Sequence, residues 1–422
     1  MTSVLIKNVL HEGEQVDVLI ENNRFSSIAA SINHAADLEI DGTDKAILPP
    51  FYNCHTHSAM TLLRGYADDL ELFTWLNEYI WPMETKLQAE DIYVGAKLAC
   101  LEMIKSGTVF FADMYWHHNE IVKAVEEMGL RASLGAVILD TADPAWAEAQ
   151  RLDAEKFFAR DDMSDRIIPS ICPHAIYTVT AKGLGWCHEM QEKYGAYLQV
   201  HLSETAKEVE DCQQEHSCSP VEYLERLGIL NDKTVASHGV HLSPEDRSIL
   251  AKRGVKVVHN PVSNMKLTSG AFDYRAMVAD GVQICLGTDG CSSNNNLDMA
   301  EEAKIAALLA KHGTGDPSVL SAEKAFELAT VAGAKAFGLD GGVIEEGKLA
   351  DCMLVNLKDH RLVPNHNLIS NLIYSADSTC IDTVICDGKV LMRDRIVADE
   401  EKIVAEAAVC CERLVNNKGE GK

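Results

Sequence analysis

Two histidines stand two residues apart at the end of an apolar run in FYNCHTHSAM, where His55 and His57 follow Pro49-Pro50 and precede a polar loop. Alternate residues of a strand project to the same face, so this spacing lets two imidazoles grip one ion. Most of the 16 histidines read as ordinary core or surface residues, but the pair reads as a metal site. A second run, YLQVHLSET, ends in His201, with Glu204 three positions on. That imidazole suits a third nitrogen ligand, and a carboxylate beside an ion without binding it suits a proton shuttle. The bland alternative for Glu204 is a helix-start acid favoured by the helix dipole. TVASHGVHLS sets His238 at another strand end, and VQICLGTDG sets Asp289 after a fourth. Taken singly, Asp289 reads as a turn residue before Gly290, and His241 as a surface residue at a helix entry.

Four apolar strands that each finish in His or Asp call for one arrangement, a (β/α)8 barrel with its active site at the C-terminal ends of the strands. Three imidazoles and a carboxylate match zinc, with iron as the alternative, and leave a position for water. One divalent ion per chain is expected. The elements fit that arrangement. From Phe51 onward, apolar strands alternate with amphipathic helices, as repeated βα units require. In SPVEYLERLGIL, Ser219 is an N-cap, Pro220 the first helical residue and Glu222 the partner of a capping box. Ser243, Pro244 and Asp246 repeat the device, and Gly254 ends that helix. SAEKAFELATVAGAKAFG reads as one further helix.

Both ends of the chain are different. VLIKNVL and VDVLIENNRFSSIAA, with a tight turn at Asn22-Asn23, are short strands, and the pattern resumes in GKLADCMLVNL and IDTVICDGKVLMRDRIV. The expected organisation is therefore an α/β protein. Residues 1–48 and 343–422 contribute a small composite β-sandwich domain with a closing C-terminal helix, and residues 49–342 form the barrel.

Composition narrows the partners. With 422 residues, 47% hydrophobic, the chain can build a large core, and its net charge of −26 repels phosphate backbones and anionic membranes. Neither a nucleic acid polymer nor a membrane is an expected partner; a small molecule is, and self-assembly is left open. No apolar run approaches the roughly 18 residues of a membrane span, so a cytoplasmic location is expected. The 13 scattered cysteines read as buried reduced thiols, and Cys212, His216 and Cys218 lack the spacing of a second metal site.

The motifs NCHTHSAMTLLRGYADDL, LFTWLNEYIWPMET, SGTVFFADMY, HLSET, SHGVHLS, HNPVSNMKL and GTDGCSSNNNLDMAEE occur in the order found in the amidohydrolase superfamily. Across essentially its whole length the sequence resembles the 5-methylthioadenosine/S-adenosylhomocysteine deaminases and their relatives, the triazine hydrolases and guanine deaminases. The resemblance implies that His55, His57, His201 and Asp289 bind the metal and that Glu204 is the proton shuttle. It implies that His238 orients or polarises the attacking water rather than binding the ion, and that Glu84 and His174 contact the nucleoside, Glu84 through the ribose hydroxyls. It also implies hydrolytic deamination of an adenine nucleoside to its inosine analogue. Asp289 takes a proton from water, and Glu204 gives one to the ring nitrogen beside the carbon under attack.

There are departures. Pro49-Pro50 replaces the family's usual Pro-Gly, and no arginine for an S-adenosylhomocysteine tail stands in a recognisable motif, although Arg131, Arg151 and Arg160 are candidates. A triazine or guanine substrate would use the same metal site, and a non-catalytic protein on this fold would be expected to have lost ligands. A two-metal cyclic amidase would need a carboxylated lysine where this chain carries CPHA.

Overall fold

The computed structural model describes residues 3–141 and 144–416. Eight strands form one parallel sheet in chain order: β6 (Phe51–Thr56), β7 (Thr108–Tyr115), β8 (Arg131–Ile138), β9 (Ile167–Pro173), β10 (Tyr197–Leu202), β11 (Thr234–His238), β12 (Lys256–His259) and β13 (Gln283–Leu286). Every residue of β6, β7 and β8 is buried, as it must be in strands covered on both faces. The capping boxes read at Ser219 and Ser243 are both formed, and Gly254 ends its helix in the left-handed region at φ 70°.

The sheet meets itself between β6 and β13. There the Asp289 N–H donates to the His55 carbonyl at 3.0 Å. Asn53 accepts from the Thr288 N–H at 3.0 Å and donates to the Thr288 hydroxyl at 2.7 Å. Gly287 permits this approach, since a Cβ there would lie 2.8 Å from the His55 nitrogen and 2.9 Å from its oxygen.

Both terminal segments build a second, mixed sheet of nine strands. β1 (Ser3–His11), β2 (Glu14–Glu21), β3 (Arg24–Ala29), β4 (Leu38–Asp41) and β5 (Lys45–Leu48) come from the start of the chain. β14 (Cys352–Asn356), β15 (Ile381–Cys386), β16 (Lys389–Arg393) and β17 (Ile396–Val397) come from its end. The two groups join where β5 pairs antiparallel with β14. This sheet has its own core, which includes Ile6, Ile20, Phe25, Ile47 and Leu354. The expected barrel and composite β domain are thus present, and Glu400–Asn416 is the expected closing helix.

One element differs from expectation. The stretch read as a single helix after Ser321 is broken at Thr330 into Ala322–Ala329 and Val331–Ala336. Thr330 has φ −122° and ψ −96°, and its hydroxyl donates back to the Phe326 carbonyl at 2.7 Å, a bond that competes with the helical ladder. After the break, Gly333 packs so close to β6 that a Cβ would lie 2.7 Å from that of Tyr52.

Barrel and sheet are tied by a buried ion network. Arg131, at the first residue of β8, donates from Nε to Asp351 at 2.8 Å and from Nη2 to Asp387 at 2.7 Å, and Asp351 also accepts the Asp387 N–H at 2.7 Å. Removing one partner of such a pair leaves a buried charge uncompensated. Arg131→Leu should therefore lower stability by about 3–5 kcal/mol, read as a reduced urea midpoint relative to the parent protein.

Candidate metal centre

The strand ends deliver the histidines and the aspartate to one place. Along β6 the alternation that sends Tyr52 and Cys54 into the surrounding core turns Asn53 and His55 toward the barrel axis, with His57 one residue past the strand. His201 and His238 come from the ends of β10 and β11, and Asp289 lies three residues beyond β13. Three turns here adopt the left-handed region without glycine: Ser203 at φ 50°, His238 at φ 74° and Asp289 at φ 61°. Such residues cluster where surrounding structure overrides a local backbone preference in order to aim a side chain.

Among the described residues, two groups can offer donor atoms to one ion. In each, all such atoms lie within 4.8 Å of one another. One is His55, His57 and Asp289, and the other is His55, His201 and His238. His55 belongs to both. Its ring centroid is 4.9 Å from those of His57 and His201, and both of its ring nitrogens are buried without a hydrogen-bond partner. The other three imidazoles are anchored through Nδ1: His57 to the Met114 carbonyl at 2.6 Å, His201 to the His174 carbonyl at 2.8 Å, and His238 to Asn264 Oδ1 at 2.8 Å. Each bond leaves Nε2 for the interior, as second partners of metal-binding histidines commonly do. Asp289 presents Oδ1 to Nε2 of His57 at 3.1 Å and of His55 at 3.4 Å. Its Oδ2 accepts from Ser263 at 2.6 Å and Ser293 at 2.9 Å. Imidazole and carboxylate donors with an unpartnered, fully buried histidine at the centre fit a zinc-type or iron-type ion.

Burial and neighbouring charge divide these groups. Burial alone would lower His57, but the hydrogen bond and charge of Asp289 raise it to about 9. Asp289 is held well below the usual carboxylate range, because the close approach and charge of His55 and His57 outweigh its burial. Burial lowers His55 to about 4 and His174 to about 3, and drives His201 well down, helped by the surrounding imidazoles. Glu204 is pushed up, chiefly by burial.

A cleft opens over the cluster. Glu204, His238, Glu84 and His174 all line it, along with His57, His201 and Asp289, while His55 sits behind. Glu84 comes from the short helix Trp81–Glu84, which follows a π-helical turn at Trp75–Ile80. Burial raises its carboxyl, opposed by Tyr115, His57 and Trp116. The His174 ring meets the His201 ring edge-on at 4.8 Å, and its Nδ1 shares a hydrogen bond with the Thr178 hydroxyl at 2.9 Å.

Glu204 is not the helix-start acid. The helix Ala206–His216 is capped by Thr205, and Glu208 takes the role next to it, accepting the N–H groups of Ser203 and Glu204 at 2.9 and 2.8 Å. Sequence reasoning missed Glu208, although Thr205 and Glu208 have capping-box spacing. It also missed Ser263, Ser293, Asn264 and Ser269. Three of these lie in the stretch HNPVSNMKLTSG, whose first nine residues carry the resemblance without assigning a role to Ser263 or Asn264. His241, expected at the surface, is half-buried, and its Nε2 pairs with the Ser269 carbonyl at 2.6 Å.

The three candidate arginines are engaged away from the cleft. Arg131 lies in the ion network with Asp351, Arg151 pairs with Asp140 at 2.9 Å, and Arg160 pairs with Asp162 at 2.8 Å. Among the described residues lining the cleft there is no lysine or arginine. His216, considered with Cys212 and Cys218, stacks on Tyr223 at 4.0 Å.

Residues 46–391 match the Amidohydrolase family. The chain is 47% identical over 395 residues to a 5'-deoxyadenosine deaminase of Methanospirillum hungatei, covering 93% of this chain and 88% of that protein. It is 45% identical over 402 residues to 5-methylthioadenosine/S-adenosylhomocysteine deaminase 1 of Archaeoglobus fulgidus, covering 94% and 95%. Among solved structures, an adenosine deaminase from Xanthomonas campestris with bound zinc superposes with a TM-score of 0.93 at 33% identity, covering 98% of each chain.

The carbonyl at Nδ1 of His201 requires that nitrogen to carry the ring proton, and burial keeps the ring neutral. Nitrogen-15 NMR should find His201 as the Nδ1–H tautomer, with no titration between about pH 5 and pH 8, where an ordinary histidine changes charge.

Proposed function

The chain belongs to the amidohydrolase family, and from that premise we propose that it is a hydrolytic deaminase of adenine nucleosides with one divalent ion held by His55, His57, His201 and Asp289. The observation that carries this reading is the opposition of Asp289 and Glu204 on one cleft floor. Asp289 is kept ionised by two imidazoles, and Glu204 is pushed toward its protonated form by burial. Carboxyls whose environments drive their proton affinities apart mark an acid and a base.

A zinc or iron ion in this donor set would supply Lewis acidity, letting water ionise near neutral pH. Asp289 then accepts the proton of the attacking water. Oxygen bonds to the ring carbon that bears the amino group, while Glu204 protonates the neighbouring ring nitrogen. That carbon becomes tetrahedral, and the intermediate collapses as Asp289 passes the water proton to the amino group and the new hydroxyl returns a proton to Glu204. Ammonia leaves and a keto ring remains. His238, anchored by Asn264, orients the water through Nε2. Glu84 on the cleft wall suits paired ribose hydroxyls, and His174 a further contact to the nucleoside. A ribose favours this reading over a bare base or a triazine. The names of the relatives, 5'-deoxyadenosine deaminase and 5-methylthioadenosine/S-adenosylhomocysteine deaminase, support the same substrate class.

The test is a spectrophotometric screen of the zinc-loaded and iron-loaded protein against 5'-deoxyadenosine, 5'-methylthioadenosine, S-adenosylhomocysteine, adenosine and guanine. Turnover of the adenine nucleosides is expected, with about one ion per chain by elemental analysis. Chelation should abolish it, and Glu204→Gln should reduce kcat by roughly 100-fold to 10,000-fold. Turnover of guanine alone would overturn the nucleoside reading.

A further inference from the structure

A carboxylate that touches neither the ion site nor the cleft is buried directly behind Glu204. Glu208 is 3% exposed, and it spends both oxygens on consecutive backbone amides, Oε1 on the Ser203 N–H at 2.9 Å and Oε2 on the Glu204 N–H at 2.8 Å. Ser203 is in the left-handed region at φ 50°, and its carbonyl accepts the N–H groups of Val240 and His241 at 3.0 and 2.9 Å. An isolated serine would relax out of that conformation. Here the carboxylate on one side and the two amides on the other hold the turn in place.

The side chain of Glu204 is fixed separately. Ser269 is buried and donates its hydroxyl to Glu204 Oε1 at 3.0 Å. Ser269 is itself held at both ends of its backbone: its N–H donates to the Asn264 carbonyl at 2.9 Å, and its carbonyl pairs with Nε2 of His241 at 2.6 Å. The two oxygens of Glu204 are therefore not equivalent. Oε2 takes no hydrogen bond from the described residues and lies 3.7 Å from Nε2 of His238.

We propose that Glu208 and Ser269 are positioning residues that hold Glu204 by its backbone and by Oε1, so that Oε2 is the oxygen that passes the proton. This rests on the reading of Glu204 as the shuttle. A proton relay acts on a reacting atom only within hydrogen-bond reach, and a displacement of about 1 Å costs on the order of 100-fold in rate. Neither residue lines the cleft, so ground-state binding should not change.

Three variants of the full, metal-loaded enzyme test this. Glu208→Gln keeps the shape of the side chain but turns an amide group toward a backbone N–H, and Ser269→Ala frees Oε1. Each should lower kcat by about 10-fold to 100-fold while KM stays within about twofold and ion content per chain stays that of the parent. Ser269→Thr keeps the hydroxyl and should recover most of the loss. If Glu208→Gln does not fold, the Ser269 pair decides alone. Parent-like kcat in Glu204→Gln would overturn the shuttle reading itself. An inactive Glu204→Gln beside parent-like kcat in Ser269→Ala and Glu208→Gln would overturn only the positioning of Glu204. So would losses that follow ion content or KM, or that Ser269→Thr fails to recover.

Discussion

Where the parallel sheet meets itself, the amide of Asp289 donates to the carbonyl of His55, and that contact sets the geometry of everything above it. His55 lies in the first strand of the barrel and His57 just past it, while Asp289 follows the last, 232 residues further along at its closest. Their nitrogen and oxygen atoms meet only if the seam closes in this register, because a slip of one residue would turn every side chain to the opposite face. Asn53 enforces the register by reading both the amide and the hydroxyl of Thr288. Gly287 leaves the room, since any side chain there would collide with the backbone of His55. The site is a by-product of barrel closure as much as of the residues chosen for it.

Closure brings together groups that repel or resist burial. Imidazoles from four strand ends share one site, and burial and mutual repulsion keep His55, His174 and His201 neutral. Asp289 is the counterweight. With Oδ1 on two imidazoles and Oδ2 on two serine hydroxyls, it stays ionised in spite of its burial. Glu204, with one serine hydroxyl on Oε1 and one imidazole 3.7 Å from Oε2, is pushed the other way, because burial outweighs them. Two carboxyls in one cleft are thus driven in opposite directions, Glu204 up by burial and Asp289 down by its imidazole neighbours.

The parts legible in the sequence were those with local periods. Strand ends in HTH and HLSE, capping boxes at Ser219 and Ser243, and the change to short strands at both ends of the chain all follow from spacing within a few residues. What escaped depends on partners far along the chain. Ser269 matters because it meets Glu204 across 65 residues, and Arg131 because it meets Asp351 across 220. The helix after Ser321 breaks at Thr330, and the segment beyond it is set by the close approach of Gly333 to β6, which no propensity records. Glu208 lay between the two cases. Its spacing from Thr205 was visible, but the backbone groups it binds belong to a turn whose left-handed shape only the fold defines.

The distribution of these long-range partners separates two tasks. Arg131 stands at the first residue of β8, at the end of the barrel opposite the cleft, and its network with Asp351 and Asp387 fastens the second sheet there. Barrels of this kind keep stabilising contacts at that end and chemistry at the other. An arginine that looked in sequence like a partner for a charged substrate is thereby committed to architecture. With Arg151 and Arg160 also paired elsewhere, the cleft meets its substrate with imidazoles, carboxyls, aromatic rings and aliphatic side chains. Hydrogen bonds to a ribose and a ring, with apolar contact around them, are the recognition that such a lining offers beside the ion site.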